Sequence, residues 1–337
     1  MLVRNRDNCP SVAINYGKGG LMANCNDLFG IFLGRISLTP TKTQYLRDSR
    51  DAIREKIRKH FKDELKRQVP KFWGQGSYSM GTLIVPLDGE YDIDDGAYLQ
   101  CLDKDKGKWP PCATVHSWIY AAVKNHTDQE PVDKNTCVRV IYANQYHVDV
   151  PAYGQCEETY YLCDKGQNGW HPSNPRGLTD WFKNELNDKN EQLRSVVKYL
   201  KAWADYKSSE AKMPSGLLLT VLASNHYESF ERDDSCFSRT ASNILKQVKS
   251  DFTIYNPVDE KERLSDRLSE TQKEIFKILL EDIVKKAAEA LKQDSKKESS
   301  KIWKTVFGER FPISDDDGKQ KLFTSGPALL KDDGRSA

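Results

Sequence analysis

The chain has 337 residues, 38% of them hydrophobic and 30% charged, with a net charge of +2. That is enough apolar material for one large or two smaller lobes with cores of their own. The near-neutral balance excludes a chain built mainly to coat nucleic acid, although a local basic cleft stays open. Eight cysteines are present and none forms a CxxC pair. Cys156 and Cys163, with His147 and His171 nearby, fit no familiar zinc spacing, so reduced thiols in a cytoplasmic protein are expected. No apolar run approaches the ~20 residues of a membrane span, and the first residues lack the apolar core of a secretory signal.

Residues 1–38 read as an irregular segment punctuated by Gly17, Gly19 and Gly20. SLTPTKTQYLRDSRDAIREKIRKHFKDEL then predicts a long helix, entered at Thr39-Pro40, with Leu46, Ile53, Ile57, Phe61 and Leu65 on one stripe. From 72 to about 150 the pattern changes to strands and turns, including TLIVPL, YDIDDGAYLQ and TCVRVIYANQYHVDVPAY. The last gives two strands around an Asn144-Gln145 turn. PPCATVHSWIYAAVKNHT between them predicts a helix. Residues 155–182 read as loop, with Gly166, Gly169, Pro172, Pro175 and Gly177. Helices follow in NEQLRSVVKYLKAWADYK, in MPSGLLLTVLASNHYESF, and in SETQKEIFKILLEDIVKKAAEALKQ, the last with Ile275, Leu279, Ile283, Ala287 and Leu291 on its stripe. The lysine-rich KQDSKKESSKIWK and the tail SDDDGKQKLFTSGPALLKDDGRSA look mobile. The expected segments are 1–38 irregular, 39–182 an α/β lobe, 183–315 a helical lobe and 316–337 a tail.

The densest chemistry lies in GQGSYSMGTLIVPLDGEYDIDDGAYL, residues 74–99. Alternate residues of a strand share a face, so Asp92 and Asp94 point together and Ile93 points away. Two carboxylates so close repel unless a cation lies between them. A hard divalent ion with oxygen ligands is the usual solution, and Mg²⁺ also binds substrate phosphates. By itself the pair fits a solvated strand end better. Upstream, Gly76 lets backbone approach a phosphate and Ser77 offers a hydroxyl and an N–H, although such a turn can be only a turn. In QYHVDVPAY, Tyr146, Val148 and Val150 alternate with His147 and Asp149. Asp149 thus projects from the face opposite the apolar residues. If the two strands are neighbours, three carboxylates converge, enough for two metals about 3.5–4 Å apart. Asp149 would then lie nearest the attacking oxygen and help remove its proton. Asp95 faces the other way, so Asp95→Ala should keep the metal binding and activity that Asp92→Ala loses.

The order Gly76-Ser77, Asp92-Ile93-Asp94, Asp149 resembles the nucleotidyltransferase superfamily of the DNA polymerase beta type. QGSYSMGT, YDIDDGAYL and HVDVPAY resemble more specifically the bacterial cGAS/DncV-like nucleotidyltransferases (CD-NTases), and among these the cyclic GMP-AMP synthases of Vibrio type. VVKYLKAWADY and MPSGLLLTVLA extend the likeness, which covers residues 40–315. The resemblance implies an α+β, bilobal fold, a mixed-sheet lobe plus a helical lobe with a long N-terminal spine helix. It implies an enzyme that joins two or three NTPs into a cyclic oligonucleotide and releases pyrophosphate. The first expectation is a cyclic dinucleotide such as cyclic GMP-AMP, made from ATP and/or GTP, with pyrimidine NTPs as further candidates.

The same resemblance assigns Asp92, Asp94 and Asp149 as catalytic ligands of two Mg²⁺ ions, with Mn²⁺ as a substitute. It matches Gln75, Gly76 and Ser77 to the donor-phosphate loop. Lys201 in YLKAW matches a lysine that reaches the triphosphate, and Ser215 a phosphate-binding serine at a helix start. Tyr153 matches a base-stacking aromatic. Read from the residues, Lys201 also fits a solvated lysine, Ser215 a plain N-cap, and Tyr153 a half-buried core tyrosine. Lys198 and Arg194, about one and two turns earlier on the same helix, fit the lining of a basic cleft or, more simply, a solvated face. The family setting is the bacterial cytoplasm and anti-phage (CBASS) signalling, in which the product activates an effector protein. Some relatives are conjugated through their last residue, here Ala337, by a partner enzyme. No long-DNA activator is expected, and no membrane. The same site would also serve a template-independent nucleotidyltransferase acting on an RNA or protein acceptor. A non-catalytic nucleotide-binding module is the third reading.

Overall fold

The computed structural model describes residues 23–316 apart from 144, 145 and 168. Helix α1 (Asn26–Ile36) lies inside the segment read as irregular. Its Leu28, Phe29, Phe32 and Ile36 are buried at helical spacing. Phe29 packs edge-on against Tyr199 at 5.1 Å, Trp303 at 5.0 Å and Phe311 at 5.3 Å between ring centroids. Each such pair contributes ~0.5–1.5 kcal/mol beyond area burial, which holds this helix in the helical core. Helix α2 (Pro40–Lys59) begins where Thr39-Pro40 predicts. Thr39 Oγ1 accepts the Lys42 N–H at 3.2 Å, and Pro40 occupies the first turn. A π-helical turn, His60–Glu64, ends it. Leu46, Ile53, Ile57 and Phe61 seat it on the sheet.

The chain then forms β1 (Lys71–Gln75), the single turn α3 (Gly76–Ser79) and β2 (Tyr91–Tyr98). After α4 (Cys112–Val123) come β3 (Val132–Asp133), β4 (Val138–Tyr142), β5 (Tyr146–Val150), β6 (Ala152–Cys156), β7 (Thr159–Asp164) and β8 (Gly169–Pro172). The helical part holds α5 (Pro175–Lys189), α6 (Gln192–Lys207), α7 (Gly216–His226) and α8 (Asp233–Ser250). The small hairpin β9 (Tyr255–Asn256) and β10 (Asp259–Arg263) precedes α9 (Glu270–Leu291) and α10 (Lys296–Phe307).

Among the described residues, all strands but the β9–β10 hairpin belong to one sheet of eight, with β2 near its centre. β1 pairs antiparallel with β2, placing Gln75 opposite Asp94. β5 pairs parallel with β2, placing Asp94 opposite Asp149, and β6 continues the same register beyond Pro151. β4 pairs antiparallel with β5, placing Arg139 opposite Asp149. Paired positions share a face, so Gln75, Asp94, Asp149 and Arg139 form one row across four strands. Ile93, Val148 and Val140 lie on the other face, in the core shared with α2 and α4. A slip of one residue would exchange the two faces, so this apolar burial fixes where the carboxylates point. Asp95 points into that second core, where the Arg54 guanidinium of α2 donates to it from Nε at 2.6 Å and from Nη2 at 2.5 Å.

Several sequence expectations are corrected. TLIVPL does not form a strand. Met80 and Ile84 leave the sheet and join the core of the helical lobe. Four contacts strap the segment there. Arg194 Nε donates to Met80 O at 3.3 Å, Lys201 Nζ to Thr82 Oγ1 at 3.0 Å, Val85 N to Ile36 O at 2.8 Å, and Leu87 N to Asp205 Oδ2 at 3.0 Å. Lys198 Nζ likewise donates to Ser37 Oγ at 3.0 Å, so Arg194 and Lys198 tie elements together instead of forming a solvated face. Residues 155–182 are not loop: they hold β7, β8 and the start of α5, where Asn174 caps the helix and Pro175 opens it. KQDSKKESSKIWK is largely α10, capped by Ser295, with Trp303, Val306 and Phe307 buried. On α9 the buried stripe begins at Phe276 and Leu280, not at Ile275 and Leu279. Helix α8 was not anticipated. The helical core draws on α1 as well as α5 to α10, so the two lobes are not consecutive in sequence. Residues 317–337, with Ala337, lie outside the described residues.

Candidate active site

A cavity of about 990 Å³ opens between the sheet and the helical lobe, within the ~300–1,000 Å³ typical of ligand sites. Asp92, Asp94 and Asp149 line its sheet wall, and Gly76 and Ser77 form one rim. Lys201 and Gly216, at the start of α7, line the opposite wall. The cavity thus places acidic oxygens on one side and a lysine beside a helix N-terminus on the other. An anion suits the second side.

Gly76 makes the approach possible. Its φ of +63° is left-handed, and a Cβ there would lie 2.4 Å from Asp94 Oδ2. Only glycine fits both the turn and the contact. Among the described residues, no side chain or backbone group donates a hydrogen bond to the Asp94 carboxylate. Burial and the neighbouring Asp92 and Asp149 push its carboxyl up to about 7. The chemistry of this donor set suits a hard divalent cation, because three carboxylates line one cavity wall and crowd one another's charge. Among the described residues, however, no three His, Cys, Asp or Glu side chains already stand in metal-holding geometry. The cation between Asp92 and Asp149 is the guanidinium of Arg139. Arg139 Nε donates to Asp149 Oδ1 at 2.7 Å, and Nη2 donates to Asp149 Oδ2 at 2.8 Å and to Asp92 Oδ2 at 3.1 Å.

Lys201 is held by Thr82, through Oγ1 at 3.0 Å and the carbonyl at 3.3 Å. Burial, and secondarily Lys198, pull its ammonium down to about 7. It is therefore no solvated lysine. Ser215 is the N-cap of α7, its Oγ accepting the Leu218 N–H at 3.3 Å. It flanks the cavity, while its neighbour Gly216 lines it.

Two expected contacts change character. Gln75 is 4% exposed, and its amide rests on Gly96, where a Cβ would lie 1.8 Å from Nε2. Its Oε1 accepts from the Tyr153 hydroxyl at 3.0 Å. Tyr153 is itself 4% exposed and stacks on Tyr98 at 4.8 Å. Gln75 and Tyr153 both line the cavity and form the floor beneath the phosphate loop, with one face of the Tyr153 ring covered by Tyr98. Two residues by the carboxylates were missed. Arg139 was legible: in VRV it alternates with buried Val138 and Val140 as Asp149 does with Val148 and Val150. Cys137, whose thiol burial and Asp149 push up to about 12, carries no comparable signal.

Known proteins resemble this chain in sequence and fold. Residues 70–153 match the family model described as the nucleotidyltransferase domain of cyclic GMP-AMP synthase DncV-like proteins. Residues 190–317 match the C-terminal domain of cyclic GMP-AMP synthase. The chain is 28% identical over 260 residues to a cyclic GMP-AMP synthase of Escherichia albertii, covering 72% of this chain and 58% of that protein. It is 26% identical over 319 residues to the cyclic GMP-AMP synthase of Vibrio cholerae, covering 75% and 70%. The di-nucleotide cyclase of Vibrio cholerae, solved with ATP and GTP, has the same fold. Its TM-score is 0.73 at 19% identity, over 86% of this chain and 97% of that one. The two family models fall on the two lobes that enclose the cavity, the first ending at Tyr153 and the second beginning just before α6. By its sheet register, its cavity and these two matches, the chain belongs to the DncV-like nucleotidyltransferases.

Proposed function

We propose that the chain joins two nucleoside triphosphates, ATP and GTP in the first place, into a cyclic dinucleotide with release of pyrophosphate. The observation that carries this reading is the pairing of Asp94 with Asp149 in adjacent strands, across one cavity from Lys201 and the start of α7. A relative named cyclic AMP-AMP-AMP synthase, 25% identical over 165 residues, keeps a three-membered ring as the second product class.

In each step a ribose hydroxyl of one nucleotide attacks the α-phosphorus of the other. The phosphoanhydride bond breaks, pyrophosphate leaves with its electron pair, and the hydroxyl proton is lost. A second such attack closes the ring. Two Mg²⁺ ions, or Mn²⁺ in their place, held by Asp92, Asp94 and Asp149, would lower the pKa of the hydroxyl and neutralise the departing charge. Once Arg139 has released it, Asp149 would accept the hydroxyl proton. The Gly76-Ser77 backbone receives the donor phosphates, and Lys201 holds the triphosphate as a point charge. Ser215 supports that contact by capping α7. The enclosing lobes limit water, which would otherwise hydrolyse the donor.

No helix among the described residues is long and apolar enough to cross a membrane. We assign the activity to the bacterial cytoplasm, in anti-phage signalling, where the product activates an effector protein. Conjugation through Ala337 belongs to the same proposal.

The test is incubation with labelled NTPs in all pairings with Mg²⁺, then phosphatase treatment and mass spectrometry. A phosphatase-resistant product that Asp92→Ala abolishes is expected. If the folded protein makes none with any pairing, the reading fails. A linear polymer or a labelled acceptor would instead show transfer to another acceptor.

A further inference from the structure

Arg139 stands where the proposed function needs a metal, and its role there rests on that function. Val138 and Val140 are buried in the α2–α4 core, so strand alternation directs Arg139 to the carboxylate face. Its fork ties Asp149 through both oxygens and Asp92 through one. Arg139 is 19% exposed and Asp149 9% as side chains, so the pair is held largely out of water. An oxygen lone pair engaged by Nε or Nη2 is not available to a metal. The planar fork hydrogen-bonds two carboxylates and acts on Asp94 only through its charge, whereas a hard divalent ion suits a set of three carboxylates.

We propose that Arg139 is an internal counter-ion. It holds Asp92 and Asp149 in place before metal arrives, and metal binding must displace it. Arg139 thereby sets the metal affinity of the site. It is a positioning residue, acting through the carboxylates. Without nucleotide, a bare ion has to compete with a bidentate, partly buried ion pair, so the empty enzyme binds metal weakly. An ion that arrives bound to a triphosphate adds the contacts of Lys201 and the phosphate loop, and so displaces the arginine more readily. The device couples metal loading to substrate loading.

The test is Mn²⁺ titrated into nucleotide-free protein, with free Mn²⁺ read by electron paramagnetic resonance. The proteins compared are the unmodified chain, Arg139→Gln, Arg139→Lys and Asp94→Asn. Arg139→Gln should bind Mn²⁺ at least tenfold more tightly while its metal-free Tm falls, and Arg139→Lys should lie between. An arginine with a merely structural role would do the reverse, because its loss would loosen the carboxylates and weaken binding. Equal or weaker Mn²⁺ affinity in Arg139→Gln overturns the proposal. Equal binding by the unmodified chain and Asp94→Asn overturns the metal reading itself, and the counter-ion with it.

Should Arg139→Gln not fold, the unmodified protein still decides. The Nε–H resonance of Arg139, assigned by its absence in Arg139→Lys, should be slowly exchanging without metal and lose that protection on saturation with Mg²⁺. A resonance unchanged by Mg²⁺ overturns the proposal.

Discussion

Replacing Lys201 by methionine should separate what this residue costs the empty protein from what it does for the ligand. Its ammonium is pulled from 10.5 down to about 7 by burial. Each pH unit corresponds to about 1.4 kcal/mol, so keeping the charged form in the fold costs at most about 5 kcal/mol. Water in the cavity reduces this, and a net effect of about 2 kcal/mol is expected. The sign follows from proton linkage. The folded protein binds fewer protons than the unfolded chain between pH 7 and 10.5, so stability rises with pH across that window and is lowest below 7. Methionine has no such term. Nucleotide-free Lys201→Met should therefore exceed the parent in stability most at pH 6, and most of that gap of about 2 kcal/mol should close by pH 10.5. Urea unfolding at both pH values measures it. Binding of a non-hydrolysable NTP at pH 7 should weaken about 10- to 100-fold, the equivalent of ~1.5–3 kcal/mol for a hydrogen bond to a charged group. A gap independent of pH, or an affinity left intact, refutes the reasoning.

Other substitutions probe the frame around the site. Gly76→Ala meets both the left-handed φ and the 2.4 Å clash with Asp94 Oδ2; product formation should fall at least about 100-fold, while the circular dichroism spectrum stays that of the folded chain. Asp95→Ala leaves the partly buried Arg54 only the exposed Asp51, 3.8 Å away, and should lower unfolding free energy by about 2–4 kcal/mol, with activity per folded molecule retained below the melting temperature. Trp303→Ala empties a fully buried site in the core shared with Phe29, and should cost about 3–5 kcal/mol by denaturant unfolding. A smaller loss there would mean that α10 is not integral to the helical lobe.

Much of this was legible along the chain because it depends on local periods. Strand alternation put Asp92 and Asp94 on one face and Asp95 on the other, and the same rule put Asp149 opposite Val148 and Val150. Thr39-Pro40 marked the start of α2. Other legible signals were overridden by composition. Asn174-Pro175 announces α5 as clearly as Thr39-Pro40 announces α2, but the surrounding glycines and prolines suggested loop. The lysines of KQDSKKESSKIWK suggested a solvated tail, although Trp303, Val306 and Phe307 follow helical spacing. Asp95 was placed on the correct face, yet its partner was invisible, because Arg54 lies on a different element and only the packing of α2 on the sheet brings it there.

The sequence by itself determined which side chains each strand and helix presents to either face, because that is set by backbone periods of 2.0 and 3.6 residues. It also carried the family motifs, which are short and contiguous. The tertiary structure alone decided which faces meet. Gln75 and Tyr153 pack on Gly96 and Tyr98 in the cavity floor because β1 and β6 both flank β2. Arg139 came to lie between Asp92 and Asp149 because β4 joins β5 in the register that opposes it to Asp149. Strand order and register are set by burying the opposite, apolar face against α2 and α4, a property of the whole sheet that no single stretch of sequence contains.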